Sequence, residues 1–121
     1  MSHKVMIVDD DKLTVSLLKT LLELDGFEVI SVAEGAAAFQ RAQDEPPDAF
    51  LVDYHLADCD GTEFVEQVRS DPQLYQLPVV MTSGLNREDE AMQAGADWFL
   101  IKPFDPSELV SVLQKLLGVE Q

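Results

Sequence analysis

The sequence predicts an α/β domain built on a parallel sheet, and three observations support this prediction. Short apolar runs alternate five times with amphipathic stretches of helical length, which is the order of βα units. Four of the runs read VMIV, AFLV, PVVM and WFLI, as expected of strands buried on both faces. A charged or hydroxyl residue closely follows each of these four runs. Since open α/β sheets bind ligands beyond the carboxyl ends of their strands, we expect a functional site there.

The first half of the chain contains two predicted βα units and a third strand. Strands are predicted near 5–8, 27–32 and 49–52. The first helix ends near Gly26, a residue suited to a helix C-terminus, and the second covers 35–43 and ends before Pro46 and Pro47. The side chains predicted to face inward from the two helices are Leu17, Leu18, Leu21 and Leu22, then Ala38, Phe39 and Ala42.

The second half continues the same alternation. Helices are predicted at 62–69 and 88–94, strands at 79–82 and 98–101, and a last helix opens at Asp105 and Pro106, an N-cap followed by proline. The helix at 88–94 is polar and short, so we expect tertiary contacts to hold it. The predicted buried positions are Phe64, Val65 and Val68 in the third helix and Leu109, Leu113, Leu116 and Leu117 in the last.

Length and composition fit one domain spanning residues 1–121. The chain is 46% hydrophobic, enough for a core, and its 23 acidic and 8 basic residues give a formal charge of -15. Such a charge repels polyanions, which argues against a nucleic-acid partner and against binding to an anionic membrane surface. It favours cations instead.

The cysteine content predicts a cytoplasmic protein. Cys59 is the only cysteine, so the chain forms no internal disulfide, and no signal peptide or membrane-length apolar span is visible. Cys59 stands between Asp58 and Asp60, whose charges disfavour a reactive thiolate.

Acidic residues follow the first and third predicted strands. If folding gathers Asp9, Asp10 and Asp53, each pair of carboxylates a few ångströms apart repels by roughly 4 kcal/mol at an effective dielectric near 20. A divalent cation relieves this repulsion, and all-oxygen ligation fits Mg²⁺ better than zinc. Asp11 fits better as the N-cap of the first helix than as a ligand.

Asp53, Lys102 and Ser83 complete a set that suits phosphoryl transfer. A phosphoryl group on Asp53 is expected to meet Mg²⁺ on one side and the Lys102 ammonium on another, with a hydrogen bond from Ser83. Phosphoryl transfer depends chiefly on positioning and on neutralisation of charge, and these groups supply both.

These residues, with the acidic run DDD, the pair Asp60-Gly61, the segment MTSG and the triplet KPF, resemble the receiver domain of bacterial two-component response regulators, of stand-alone chemotaxis-regulator size. The resemblance covers essentially the whole chain. It implies a flavodoxin-like, doubly wound five-stranded sheet of order 2-1-3-4-5 with helices on both faces, an order for which a chemotaxis regulator is a standing example. It also implies a cis bond between Lys102 and Pro103.

The resemblance assigns roles residue by residue. Asp53 corresponds to the phospho-acceptor, Asp10 to the direct metal ligand, Asp9 to the acid that binds through water, and the backbone carbonyl of His55 to the remaining protein ligand. The other matched residues are Ser83 as switch hydroxyl, Lys102 as the site lysine and Phe99 as the switch aromatic. Departures from the family pattern are His55, Leu56 and Ala57, the last replacing a usual proline, and they bear on loop rigidity and phosphoryl lifetime.

The resemblance implies a signalling switch rather than a turnover enzyme. A sensor histidine kinase or histidine phosphotransfer protein is the expected donor, and phosphorylation is expected to remodel the face made by the fourth helix, the fifth strand and the fifth helix. The downstream protein target is unknown. We expect output through protein contact, unless the sequence is part of a larger regulator or hybrid kinase.

Three alternatives stay open at this point. A metal-dependent phosphatase with an aspartyl nucleophile would share Asp53 and Lys102, but His55 stands where such enzymes place a second acid. A flavin-binding electron carrier needs a phosphate loop after the first strand, where this chain has three repelling acids. A receiver-like module that acts without phosphorylation is disfavoured because the acid, hydroxyl and lysine set is complete.

Overall fold

The computed structural model describes residues 2–119. Five strands alternate with five helices along the chain. Their bounds are β1 Lys4–Val8, α1 Lys12–Leu24, β2 Glu28–Val32, α2 Gly35–Asp44, β3 Ala49–Asp53, α3 Gly61–Arg69, β4 Val79–Ser83, α4 Glu88–Ala94, β5 Trp98–Ile101 and α5 Pro106–Leu117. The predicted elements are confirmed, and α4 and β5 have the predicted bounds.

The strands form one parallel sheet of order β2-β1-β3-β4-β5, which confirms the expected order. Val8 is in register with Val52, so β1 and β3 end side by side at the centre of the sheet. The peptide bond between Lys102 and Pro103 is cis, as the resemblance implied. Within residues 2–119, no helix combines the length and apolar character needed to cross a bilayer.

Alternation along the strands divides the core between the two faces of the sheet. On one face, Met6, Phe50 and Met81 are fully buried beneath α2, α3 and α4. On the other, Ile7 and Leu51 pack with residues of α1 and α5 such as Leu113. The sheet is therefore covered on both sides, and its carboxyl edge is where polar groups meet.

The prediction for α1 was wrong at Leu17. Leu18 and Leu22, four residues apart, are buried, whereas Leu17 is 59% exposed. Successive positions of a helix are about 100° apart around the axis, so a narrow contact stripe excludes a residue one position away. Leu21 is half-buried.

Helix α4 is held by long-range contacts, as its polar sequence predicted. Ala91 and Ala94 face the core, and Gly95 ends the helix with φ 114°. The Arg69 guanidinium donates to the carbonyl oxygen of Gly95 at 2.8 Å and to a carboxylate oxygen of Asp97 at 2.9 Å. These bonds fix the C-terminal end of α4 to α3 and to the start of β5.

Candidate functional site

Neighbouring strands deliver the candidate residues to one edge of the sheet. Asp9 directly follows β1 and Asp53 ends β3, and these strands are paired up to Val8 and Val52. Lys102 directly follows β5, and its backbone amide donates to the Ser83 carbonyl at the end of β4 at 2.8 Å. Residues far apart in the chain meet because parallel strands end together.

The three acids form one cluster. Asp9, Asp10 and Asp53 each place a carboxylate oxygen within 4.8 Å of the others. Asp9 is buried, Asp53 is half-buried and Asp10 is exposed, so the cluster opens to solvent on one side. The amide of Asp11 donates to Asp9 Oδ1 at 2.9 Å, which orients the buried carboxylate.

Lys102 bridges two of the acids. Its Nζ lies 3.0 Å from Asp53 Oδ1 and 3.2 Å from Asp9 Oδ2. Burial alone would lower the pKa of Lys102, but the hydrogen bond to Asp53 and the charges of Asp53 and Asp9 outweigh it, so that pKa is raised. Lys102 is therefore firmly cationic at neutral pH.

For Asp9, burial is the dominant influence on the pKa. It raises the pKa of the Asp9 carboxyl, and the amide of Asp11 and the Lys102 ammonium only partly offset it. The nearby charge of Asp53 raises this pKa further. Keeping Asp9 ionised thus costs free energy that an additional cation would reduce.

The donor set fits Mg²⁺. Three carboxylates and one ammonium leave excess negative charge in the cluster, and its ligand atoms are all oxygens. The loop after β3 contains the His55 carbonyl, which the resemblance implies as a further ligand. Its backbone bonds run from Gly61 to Tyr54 at 2.6 Å and from Leu56 to Cys59 at 3.0 Å, leaving the His55 carbonyl outside the pairing.

Two hydroxyl residues, Thr82 and Ser83, lie at the end of β4 and make different hydrogen bonds. Thr82 Oγ1 donates to Asp53 Oδ1 at 3.3 Å. The hydroxyl oxygen of Ser83 instead accepts from the amide of Leu85 at 3.2 Å, and no hydrogen bond joins Ser83 to Asp53 among the described residues. Thr82 was not among the residues predicted from the sequence, because its contact with Asp53 depends on the register between β3 and β4.

The remaining predicted residues lie around this centre. Asp11 caps α1, accepting from the amides of Leu13 and Thr14, as expected. Phe99 is half-buried and packs against the core beneath α4. The His55 imidazole is largely exposed, with Nδ1 3.8 Å from Asp60 Oδ1.

Gly61 is required by close packing behind Asp53. A Cβ atom there would collide with the backbone carbonyl oxygen of Asp53 and approach Met81 Cε at 3.0 Å. Only a residue without a side chain lets α3 begin this close to the end of β3. The same loop carries Cys59, whose pKa is raised to about 11 by burial and by the charge of Asp58, so a reactive thiolate is disfavoured, as predicted.

Known proteins match the chain over nearly its full length. The model of the family described as "Response regulator receiver domain" matches residues 5–114. The alkaline phosphatase synthesis transcriptional regulatory protein PhoP of Bacillus subtilis is 32% identical over 97% of this chain and 49% of its own length. The chain spans about half the length of the first curated relatives it matches.

Solved structures agree in fold. Chemotaxis response regulator CheY4 of Vibrio cholerae superposes with a TM-score of 0.90 at 30% identity, covering 96% of this chain and 99% of that one. The receiver domain of sensor histidine kinase PA1611 from Pseudomonas aeruginosa also gives 0.90, at 27% identity, covering 98% and 99%. That structure has a magnesium ion coordinated in its active site cleft.

The sequence and the fold of this chain thus agree with those of its relatives. The phosphatase and flavin-carrier alternatives gain no support from them. This chain belongs to the response regulator receiver domain family and is a receiver domain of two-component signalling.

Proposed function

We propose that Asp53 accepts a phosphoryl group in a Mg²⁺-dependent step, and that the resulting aspartyl phosphate changes the surface formed by α4, β5 and α5. The observation that carries this proposal is the position of Asp53. One of its carboxylate oxygens lies 3.0 Å from Lys102 Nζ, and the carboxylate also belongs to the oxygen cluster with Asp9 and Asp10.

The proposed metal ligands are Asp10 directly, Asp9 through water, Asp53, and the backbone carbonyl of His55. Bound there, Mg²⁺ would neutralise charge on the phosphoryl oxygens and on the carboxylates. The magnesium ion in the related PA1611 receiver domain supports this assignment. Within the protein, the amide of Asp11 keeps Asp9 oriented towards the cluster.

The proposed reaction is a displacement at phosphorus. An oxygen of Asp53 forms the new P–O bond as the P–N bond of a phosphohistidine breaks, and the bonding electrons return to the imidazole nitrogen. Lys102 is fixed beside the attacking carboxylate and can pair with a phosphoryl oxygen as negative charge gathers there. Thr82 limits the rotation of Asp53 by its hydrogen bond.

The proposed switch begins with new charge at Asp53. Phosphoryl oxygens attract the Lys102 ammonium and the Ser83 hydroxyl, which now accepts from the amide of Leu85. Movement of Ser83 would shift the loop before α4, and Phe99 would turn inward beneath it. Helix α4 is short and begins in exposed residues, which supports its role as the responding element.

The proposed phosphoryl donor is a sensor histidine kinase or a histidine phosphotransfer protein, and the proposed output is contact with a downstream protein. Residues 1–121 would act as one receiver domain, as a switch rather than a turnover enzyme. A phosphatase would need a carboxyl group two residues after Asp53, where this chain has the imidazole of His55.

Intact-mass measurement after incubation with acetyl phosphate tests the proposal. The wild type should gain the mass of one phosphoryl group with Mg²⁺ present and none after chelation. Asp53→Asn should gain nothing, whereas Asp11→Asn, which removes an acid assigned only to capping α1, should be labelled like the wild type. Labelling of Asp53→Asn to the wild-type extent would contradict the assignment.

A further inference from the structure

The carboxylate of Asp58 caps a helix that does not follow it in the chain. Asp58 lies in the loop between β3 and α3, yet its Oδ1 accepts from the Gly35 amide at 2.7 Å and its Oδ2 from the Ala36 amide at 3.1 Å. Both amides belong to the first turn of α2. These hydrogen bonds are the main cause of the lowered pKa of Asp58.

Helix α2 receives no side-chain cap from its own N-cap residue. Glu34 occupies that position in extended conformation but makes no side-chain capping bond. The start of α2 is also shaped to receive the loop, because a Cβ on Gly35 would lie 2.6 Å from Cys59 Sγ. The contact between Asp58 and α2 is therefore both a capping interaction and a close packing of two chain segments.

The loop that Asp58 fixes also contains a proposed metal ligand. The His55 carbonyl lies three residues before Asp58, in a segment between the end of β3 and the start of α3. At Ala57 the chain lacks the proline that the family resemblance leads one to expect, so the backbone there is less restricted. Among residues 2–119, no hydrogen-bond acceptor is found for the Ala57 amide.

We propose that Asp58 is a positioning residue for the metal site: by binding the first turn of α2 it holds residues 55–60 in place and keeps the His55 carbonyl ready for Mg²⁺. This inference rests on the proposed function. The physical reason is that a ligand already ordered before binding loses less conformational freedom when the ion arrives. Asp58 thus supplies the restriction that a proline at residue 57 would supply.

Calorimetric titration with Mg²⁺ measures the expected effect. Asp58→Ala should weaken Mg²⁺ binding about tenfold, at the lower end of the losses seen when supporting partners of metal ligands are removed, since it acts through the loop. Amide hydrogen exchange without metal should also become faster at residues 55–60. Asp60→Ala, with the same charge change two residues on, should weaken binding much less, because within residues 2–119 Asp60 makes no side-chain bond to α2.

Two double variants separate positioning from helix capping. Glu34→Ser in the Asp58→Ala background supplies α2 with its own cap, since serine is a favoured N-cap and the backbone there is already extended. It should restore thermal stability and leave Mg²⁺ binding weak. Ala57→Pro in the same background restricts the loop directly and should recover most of the Mg²⁺ affinity without capping α2.

The outcomes distinguish the positioning role from the proposed function. If the wild type binds Mg²⁺ and Asp58→Ala binds it equally well, the positioning role is wrong and the proposed function stands. Recovery of Mg²⁺ affinity by Glu34→Ser would also overturn the positioning role, because capping alone would then explain the loss. Failure of the wild type to bind Mg²⁺ would overturn the proposed function itself.

Discussion

The two loops that border the candidate site are held to very different degrees. The loop after β3 bonds to itself, with the Gly61 amide donating to Tyr54, and to α2 through Asp58. The loop after β4 is held by short-range bonds, from the amide of Leu85 to Ser83 and from the amide of Glu88 to Asn86. The restrained loop carries the proposed metal ligand, and the loosely held loop directly follows Ser83, the proposed switch hydroxyl at the end of β4.

This difference suggests how one site can both bind and signal. A metal ligand must be ordered before the ion arrives, whereas a switch must move when charge at Asp53 changes. Leu85 is 61% exposed, and a Cβ added at Gly84 would meet no atom within 4 Å, so little packing opposes movement after β4. The end of α4 is anchored by Arg69, so we expect movement at its start.

The largest expected contrast comes from adding one methyl group where the loop after β3 joins α3 and another in the loop after β4. Gly61→Ala should lower the free energy of unfolding by about 1–3 kcal/mol, because the new Cβ collides with the Asp53 carbonyl. Gly84→Ala should change it by less than about 0.5 kcal/mol, since open space surrounds that position and its φ is not positive. Urea unfolding of both variants measures the difference. Equal losses would show that the two loops are packed alike.

A smaller effect is expected from replacing Asp9, the buried acid of the cluster, by a neutral residue. Asp9→Asn should raise the free energy of unfolding, and with it Tm, at neutral pH in the absence of Mg²⁺. The raised pKa of Asp9 means that its ionisation costs more in the folded than in the unfolded protein. Lower stability of the variant at neutral pH would contradict the inference that an ionised Asp9 destabilises the folded protein when no additional cation is bound.

The pH dependence follows from the same raised pKa. The cost is absent below the ordinary pKa of the carboxyl and develops as pH rises through the raised folded value, so the advantage of Asp9→Asn should grow over that range. Thermal unfolding of both proteins over acid to neutral pH measures it. Saturating Mg²⁺ should reduce this advantage or reverse it, because the ion binds the wild type more tightly than the variant, which lacks one carboxylate of the cluster.

The smallest effect is expected at a contact between the two loops. The Arg87 guanidinium lies 5.4 Å from the centre of the Tyr54 ring, and such a contact at a partly exposed site contributes roughly 0.5–1 kcal/mol. Arg87→Ala should speed amide hydrogen exchange in residues 84–87 and leave residues 55–60 nearly unchanged. Equal acceleration in both loops would mean that they open as one unit.

Local sequence signals predicted the strands because strand formation depends on neighbouring residues, and the positions of the strand ends then indicated most of the site. Apolar runs identified where each strand ends, and the acids and lysine beyond those ends do meet. Sheet order came from family resemblance rather than from any periodicity. Two things thus place the site residues: the positions where the strands end and the order of the strands in the sheet. The residues are Asp9, Asp10, Asp53 and Lys102.

The features that sequence reasoning missed depend on contacts between distant segments. Asp58 caps a helix that begins 23 residues earlier, and Arg69 binds Gly95, 26 residues later. Thr82 contacts Asp53 only because two strands align. No local pattern marks such pairs. Leu17 was wrongly predicted to face inward, because apolar character alone does not determine the width of the buried face of a helix.

Calorimetric titration of Mg²⁺ into the wild type, Asp10→Asn and Asp11→Asn tests the central claim most directly, namely that folding gathers these carboxylates into a site that takes up one divalent cation. The two variants change neighbouring acids by the same charge, but only Asp10 lies in the cluster with Asp9 and Asp53. We predict one saturable site in the wild type and in Asp11→Asn, and strongly weakened binding in Asp10→Asn. Absence of binding to the wild type, or equal binding by all three proteins, would contradict the account.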